Sequence, residues 1–371
     1  MIHYIWQEPD WPHFRWQSDL LLGPLGKARL RQGKLLGEMS GLGFNLGLET
    51  RCEILIEETI QTAAIEGEQY ERQAVRSSIA RRLGMPAAAL PRADRHADGL
   101  VDVLLDATGN FNSPLTVNRL HGWQAALFPT GYSGLRRIAV GKFRHGAPMQ
   151  VVSGPIGQET VHYEAPPSRQ VGREIDLFLK WWDESRGHID GLLRAGIAHL
   201  WFVTIHPYDD GNGRLARAIT DMALAGDEKN STRFYSLSAQ IMAEREGYYH
   251  ILEQTQRGDL DITPWLAWFL ACFTSALDRS YAFLDITLQK ARFWKIHTKP
   301  LAERQRKVVN KLLDAGPGGF AGGLTTRKYV SMAKVGRATA YREISDLLAK
   351  GLLSINQGKG RSVSYDLIWP E

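Results

Sequence analysis

Cysteine is almost absent from these 371 residues: only Cys52 and Cys272 occur, each alone in an apolar, helix-patterned run. Two isolated thiols without ligand spacing exclude a disulfide scaffold and a structural zinc site, so core burial has to hold the fold. No apolar run approaches the ~18 residues of a membrane helix, and the opening Met-Ile-His-Tyr-Ile-Trp lacks the charged-then-apolar form of a leader. A soluble cytoplasmic protein without membrane contact is therefore expected. Internal repeats and low-complexity runs are also missing, which excludes solenoids and linker-like chains. What is present is ample hydrophobic residue, 44% of the chain. The length exceeds a single core and predicts two or three domains.

The densest chemistry lies in His206-Pro-Tyr-Asp-Asp-Gly-Asn-Gly-Arg-Leu-Ala-Arg217. Leu193 to Thr204 has helical spacing, and the proline after His206 pushes that residue out of the helix, leaving the imidazole at a loop mouth. Gly211-Asn212-Gly213 admits positive φ, and the pattern from Arg214 to Ala225 starts a new helix. Free amides at such a start, curled by glycines, form an anion pocket. Arg214 and Arg217 are three apart and share one face of the first turn. Cations there oppose the helix dipole, so a multiply charged anion belongs between them. Asp210 is a hard oxygen ligand placed to carry a divalent cation bridging phosphates.

This segment resembles the signature of the Fic family, HPFx(D/E)GNGRxxR, and departs from it only at Tyr208, where the family usually has Phe. A phenol in that core position needs a hydrogen-bond partner or a wet edge. The resemblance implies transfer of AMP from ATP to a protein hydroxyl, with release of pyrophosphate. His206 would be the general base and Asp210 would hold Mg²⁺ at the α- and β-phosphates. The backbone of Gly211 to Gly213 and the Asn212 side chain would cradle those phosphates, with Arg214 on the developing pyrophosphate and Arg217 on the γ-phosphate. Positioning and charge stabilisation are what phosphoryl-type transfer needs, and an imidazole near its ordinary pKa of ~6.5 suits the base role.

Thr62-Ala-Ala-Ile-Glu66-Gly67 ends a helical run that begins near Cys52. Glu66 falls in the last turn, where the dipole disfavours a carboxylate by ~0.3 to 1 kcal/mol, so a cationic partner elsewhere is expected. The pattern is similar to the inhibitory motif of the Fic family, (S/T)xxxE(G/N), whose Glu pairs with the second motif arginine, here Arg217. Inhibition by Glu66 would leave ATP in a non-productive pose. The same resemblance leaves open the reverse chemistry, removal of AMP by a water that Glu66 orients.

Between Pro129 and Pro167 the helical period gives way to Gly141-Lys-Phe-Arg144, Met149 to Gly154 and Val161 to Pro167, a hairpin pattern. It resembles the Fic flap, which aligns a target segment by strand addition. Farther on, Tyr248-Tyr249 opens a helix running to Gln256. Resemblance to Fic relatives makes Tyr249 and Gln256 candidates for contact with the adenosine.

The segment before Gly109 reads as helices with aromatic anchors and resembles the uncharacterised helical domain that precedes the core in many bacterial Fic relatives. At the other end, Leu324 to Ala333 and Arg337 to Lys350 read as two helices, with an apolar stripe of Ala338, Tyr341, Ile344 and Leu348. Gly351 to Ile355, Gln357 to Arg361 and Val363 to Leu367 follow as strand, basic turn and strand, so the end looks like a winged helix-turn-helix. Leu301 to Glu371 holds 12 Lys and Arg against 6 Asp and Glu, whereas the whole chain is only +5. A local basic balance of this kind fits a nucleic-acid footprint, with Arg337, Arg342, Lys359 and Arg361 as candidate contacts.

The expected architecture is mostly α: residues 1–109 a helical domain with the inhibitory helix, 110–298 a Fic-type helical bundle with a β-hairpin flap, and 299–371 a winged helix. The expected function is adenylylation of a Ser, Thr or Tyr hydroxyl of a target protein or of the chain itself, with ATP and Mg²⁺. The reading from another class is a DNA-binding regulator whose core senses ATP. A homodimer is compatible with either.

Overall fold

The computed structural model describes residues 3–40, 44–86, 95–153, 160–297, 300–316, 318–356 and 363–369. These divide into two compact units, Met1–Ser280 and Tyr281–Glu371. The first takes in both the N-terminal helices and the motif.

In the first unit a short 3-10 turn, Ile5–Gln7, precedes α1 (Ser18–Ser40), α2 (Phe44–Ile65), α3 (Arg72–Arg82), α4 (Arg95–Gly109) and α5 (Val117–Leu127). Two small ribbons follow, β1 (Tyr132–Ser133) with β2 (Arg136–Arg137), and β3 (Gln150–Ser153) with β4 (Thr160–Glu164). Helices then resume as α6 (Val171–Glu184), α7 (Gly191–Ile205), α8 (Asn212–Glu228), α9 (Leu237–Ala243), α10 (Arg245–Gln256) and α11 (Thr263–Ile296), of which the part from Tyr281 belongs to the second unit. Every residue of α7 from Leu192 to Ile205 is buried, so this is the central helix, apolar on all sides as such a position requires. Its two long polar residues are provided for. Arg194 donates to the carbonyl of Trp182 at 2.6 Å and lies over that ring, while His199 bonds Thr220 and Tyr248. α8 packs along α7, and α2 packs on α3, α4, α8 and α9.

The N-terminal aromatics Trp6, Trp11 and Phe14, expected in the core, are half-buried and pack against it from outside. Phe14 meets Trp201 of α7 edge-on, and Trp11 donates to Glu174 of α6 at 2.8 Å. Trp6 donates to the carbonyl of Glu164 on β4 at 2.8 Å. The β3–β4 pairing runs from Gln150 opposite Glu164 to Ser153 opposite Thr160, with an irregularity between Val151 and Val152. Gly141 to Arg144, expected as part of this β pattern, is not a strand: the Arg144 N–H donates to the Pro207 carbonyl and its side chain to the carbonyls of His206 and Pro166, which ties the segment to the loop after α7.

The second unit contains α12 (Glu303–Ala315), α13 (Thr326–Ala333), α14 (Arg337–Ala349), β5 (Leu353–Ile355) and β6 (Tyr365–Leu367). Leu324, expected inside a helix, instead exchanges both backbone hydrogen bonds with Tyr365, and Thr325 then caps α13 by accepting from Lys328 N–H. The core is Val308, Val309, Leu312, Leu313, Tyr329, Ile344, Leu347 and Leu353, joined by Phe293 near the end of α11. The stripe expected on α14 is off by a fraction of a turn. Ala340, Glu343, Ile344 and Leu347 face inward and Tyr341 is 65% exposed, because Glu343 takes a core position by pairing with Arg304 and Tyr329. Lys359 and Arg361 lie outside the described residues. Among the described residues no helix is long and apolar enough to cross a membrane.

Candidate active site

The segment from His206 to Arg217 joins α7 to α8. His206 caps α7 in the left-handed region, φ 50° and ψ 59°, a conformation that costs a non-glycine residue about 1 kcal/mol or more. Arg144, 3% exposed, holds it there. Its Nε donates to the His206 carbonyl at 2.6 Å and its Nη2 to the carbonyls of Pro166 and Ile205, while its own N–H donates to Pro207. No local pattern points to this role, since Arg144 sits in a segment patterned as β.

His206 Nδ1 lies 3.2 Å from the carbonyl of Val203. A carbonyl can only accept, so Nδ1 carries the proton and Nε2 keeps its lone pair. Burial lowers the imidazole pKa below its ordinary value, and Arg144 pushes the same way, against the Val203 carbonyl and the charges of Glu66 and Asp210. The ring is thus neutral near pH 7. Burial therefore sets a lower pKa than the ordinary one expected from the sequence.

The loop closes on itself. The Asn212 carboxamide accepts from the Tyr208 N–H at 2.9 Å and donates to the Tyr208 carbonyl at 2.8 Å. This assigns the Asn212 side chain to holding the loop, not to the phosphate cradle expected for it. Tyr208 is fully buried, and its phenol finds the required partner in His121 Nδ1, 2.9 Å away, beside Phe143. Asp209 accepts from the Ala139 N–H at 2.9 Å and ties the loop to the chain before the β3–β4 ribbon. Asp210 accepts from its neighbour Gly211 N–H at 2.6 Å and from the Ser133 hydroxyl, and remains partly exposed. No group of three or more His, Cys, Asp or Glu that could hold a metal occurs among the described residues. A magnesium ion there would take Asp210 plus phosphate and water oxygens, which suits that ion.

Gly211 starts α8 with φ +88°, and a Cβ on it would press on Phe128 at 2.9 Å. A Cβ on Gly213 would collide with the Glu66 carboxylate. The first turn of α8, rich in free amides, is therefore covered by a negative group supplied by the chain itself.

Glu66 Oε1 accepts from Arg217 Nη2 at 2.7 Å, and Thr62 holds the same guanidinium through its hydroxyl at 2.5 Å and its carbonyl at 2.9 Å. Burial is the largest single influence and lowers the Arg217 pKa, but the charge and hydrogen bond of Glu66 together with Tyr248 and Tyr249 outweigh it, and the net shift is upward. Two residues on, Glu68 accepts from Arg214 Nη1 at 2.8 Å, a partner that sequence reasoning missed. Both arginines are 2% exposed. Tyr249 and Arg245 each donate to the Ile65 carbonyl at 3.2 Å and so cap the last turn of α2. Gln256 is buried and bonds the Thr204 hydroxyl at 3.3 Å, which makes it a support for α7 and not an outward-facing group.

The sequence profile of the Fic/DOC family matches residues 114–224, a range that includes the whole motif. The chain carries a Fic/DOC domain. Residues 4–85 match a domain of unknown function, DUF4172. Among solved structures, a Fic family protein from Desulfovibrio desulfuricans G20 is similar over 94% of this chain and 96% of its own, with TM-score 0.56 and 17% identity. A Fic domain containing signaling protein from Bacteroides thetaiotaomicron VPI-5482 is similar over 72% of this chain and 97% of its own, with TM-score 0.53 and 17% identity. The fold of this chain is thus mostly helical and Fic-like. A curated relative, the protein adenylyltransferase Fic of Nematostella vectensis, is 27% identical over 146 residues, 38% of this chain. That match spans 32% of the relative's length.

Proposed function

We propose that this Fic/DOC domain transfers AMP from ATP to a hydroxyl of a protein side chain, and that the end of α2 withholds the reaction. The observation that carries this is the pairing at the start of α8: two buried arginines stand where a polyphosphate is best received, and each is held by a carboxylate. His206 Nε2 takes the proton of the hydroxyl as its oxygen attacks the α-phosphorus. The bond from that phosphorus to the bridging oxygen breaks, and pyrophosphate leaves toward Arg214. Magnesium, when bound at Asp210, neutralises phosphate charge. Arg257 donates to the carbonyls of Val161 and His162, so α10 holds β4 and leaves β3 as the edge to which a target segment adds. Tyr249, once released from the Ile65 carbonyl, offers an aromatic face to the adenosine.

Glu66 and Glu68 act as a built-in anion. Glu66 keeps Arg217 from the γ-phosphate, and Glu68 occupies Arg214. Removing either carboxylate leaves a buried guanidinium unpaired, and a triphosphate satisfies that need. The test is incorporation from α-labelled ATP by the wild type, Glu66→Gly, Glu66→Gly with Glu68→Gln, and His206→Ala. Labelling is expected to rise in that order over the first three and to vanish in the last. Equal labelling of wild type and Glu66→Gly contradicts the inhibitory role, and labelling of His206→Ala contradicts the base.

A further inference from the structure

We infer that the outer face of α14 is a docking surface for duplex DNA. Arg337, Ala338, Tyr341, Arg342 and Ser345 are all exposed, and their spacing of four, five and eight residues from Arg337 puts them along one side of the helix. The helix has two acidic residues, and both have partners within the unit, Glu343 inside it and Asp346 at its surface. Glu343 is 7% exposed and accepts from Arg304 at 2.8 Å and from the Tyr329 hydroxyl at 2.7 Å. Asp346 accepts from Gln305 at 2.8 Å and from Lys350 at 2.6 Å. Among the described residues, neither Arg337 nor Arg342 has a carboxylate within ion-pair distance. The acids of α14 serve the fold and its outward cations are left to a partner.

Local energetics point the same way. Arg337 is the first residue of α14, where a cation opposes the helix dipole at a cost of ~0.3–1 kcal/mol, and Gly336 before it offers no side-chain cap. An external anion satisfies both the guanidinium and the free amides of the first turn. The preceding α13 is joined to α14 by only Lys334, Val335 and Gly336, and Lys334 is exposed. Two short helices with such a turn form a helix-turn-helix pair whose second helix is free to enter a groove. A protein partner would be expected to meet an apolar centre with charges at the rim. This face is the reverse: two arginine forks around one tyrosine, with small residues beside them, which fits phosphates and base edges of a major groove.

Fluorescence anisotropy of a labelled random-sequence DNA duplex with the full-length chain tests this, measured across a salt series. Binding at low salt is expected, with a linear fall of log affinity against log salt. Arg337→Ala and Arg342→Ala should each weaken binding about threefold to tenfold and reduce the salt slope by about 1. Tyr341→Ala should weaken binding without changing the slope. All three are surface changes, and unaltered melting curves would show that the fold is intact. Absence of binding at low salt overturns the inference, as does binding that none of the three substitutions moves. Displacement of the duplex by polyglutamate at equal charge would assign the face to an acidic protein instead and equally overturn it.

Discussion

The two ends of the stretch from His206 to Arg217 are held by different means. The His206 end is fixed through backbone carbonyls and uncharged groups, by Arg144 on its carbonyl, Asn212 across the loop and Tyr208 against His121. The arginine end is fixed from outside, by Glu66 and Glu68 at the close of α2. None of the bonds at the His206 end uses a group that a phosphate would seek, whereas a carboxylate on an arginine can be exchanged for a phosphate. On the proposed reading the base is therefore preset, and the phosphate contacts are conditional on α2.

The most severe break of this contrast is His206→Ala, which should lower AMP transfer at least about 100-fold, measured by single-turnover labelling. On the conditional side, Glu66→Gly should raise transfer about tenfold to a hundredfold, the range that a charge-assisted bond worth ~1.5–3 kcal/mol gives. Glu68 is more exposed than Glu66, so Glu68→Gln should add a smaller gain of about twofold to fivefold. Arg144→Lys keeps the charge but loses the fork that holds several carbonyls. It should lower kcat about tenfold and leave the KM for ATP within about twofold, a split that a general loss of folding would not give.

The pH profile sharpens the comparison further. The base acts when neutral, and burial lowers its pKa, so the acid limb of the rate should lie below the ordinary histidine value of ~6.5. The Glu66 charge opposes that shift, so Glu66→Gly should move the limb to still lower pH. A limb that moved upward would mean another group titrates. The smallest effects are on stability. Tyr208→Phe loses one buried hydrogen bond and should cost about 0.5–1.5 kcal/mol in denaturant unfolding with transfer unchanged. His199, fully enclosed, has its pKa lowered to about 3 by burial and by Arg217. The unfolded chain then takes up that proton first, and stability should fall as pH drops from ~6.5 toward 3. His199→Gln should flatten that fall.

Much of this was legible in the chain because it is local. Proline after His206 and glycine at 211 and 213 fix a loop between two helices, and Arg214 and Arg217 share a face by spacing alone. Glu66 was marked by the resemblance of Thr62 to Gly67 to the inhibitory motif of the Fic family; its unfavourable place at a helix end would not by itself separate it from a surface carboxylate. Glu68 and Arg144 were not found, since each draws its meaning from contacts about 60 or more residues away, with no local disadvantage to betray it. The inward face of α14 was misplaced for a related reason. A buried Glu343 breaks the rule that charged residues face water, and its partners Arg304 and Tyr329 lie on other helices.

The central claim is that a preset base faces phosphate contacts withheld by α2. Intact-mass measurement of the wild type and of Glu66→Gly after incubation with Mg²⁺ and ATP tests it most directly. The account predicts a mass gain matching AMP on Glu66→Gly and little on the wild type, lost again when His206→Ala is added. Equal gain on both proteins, or a gain that survives loss of His206, would contradict it.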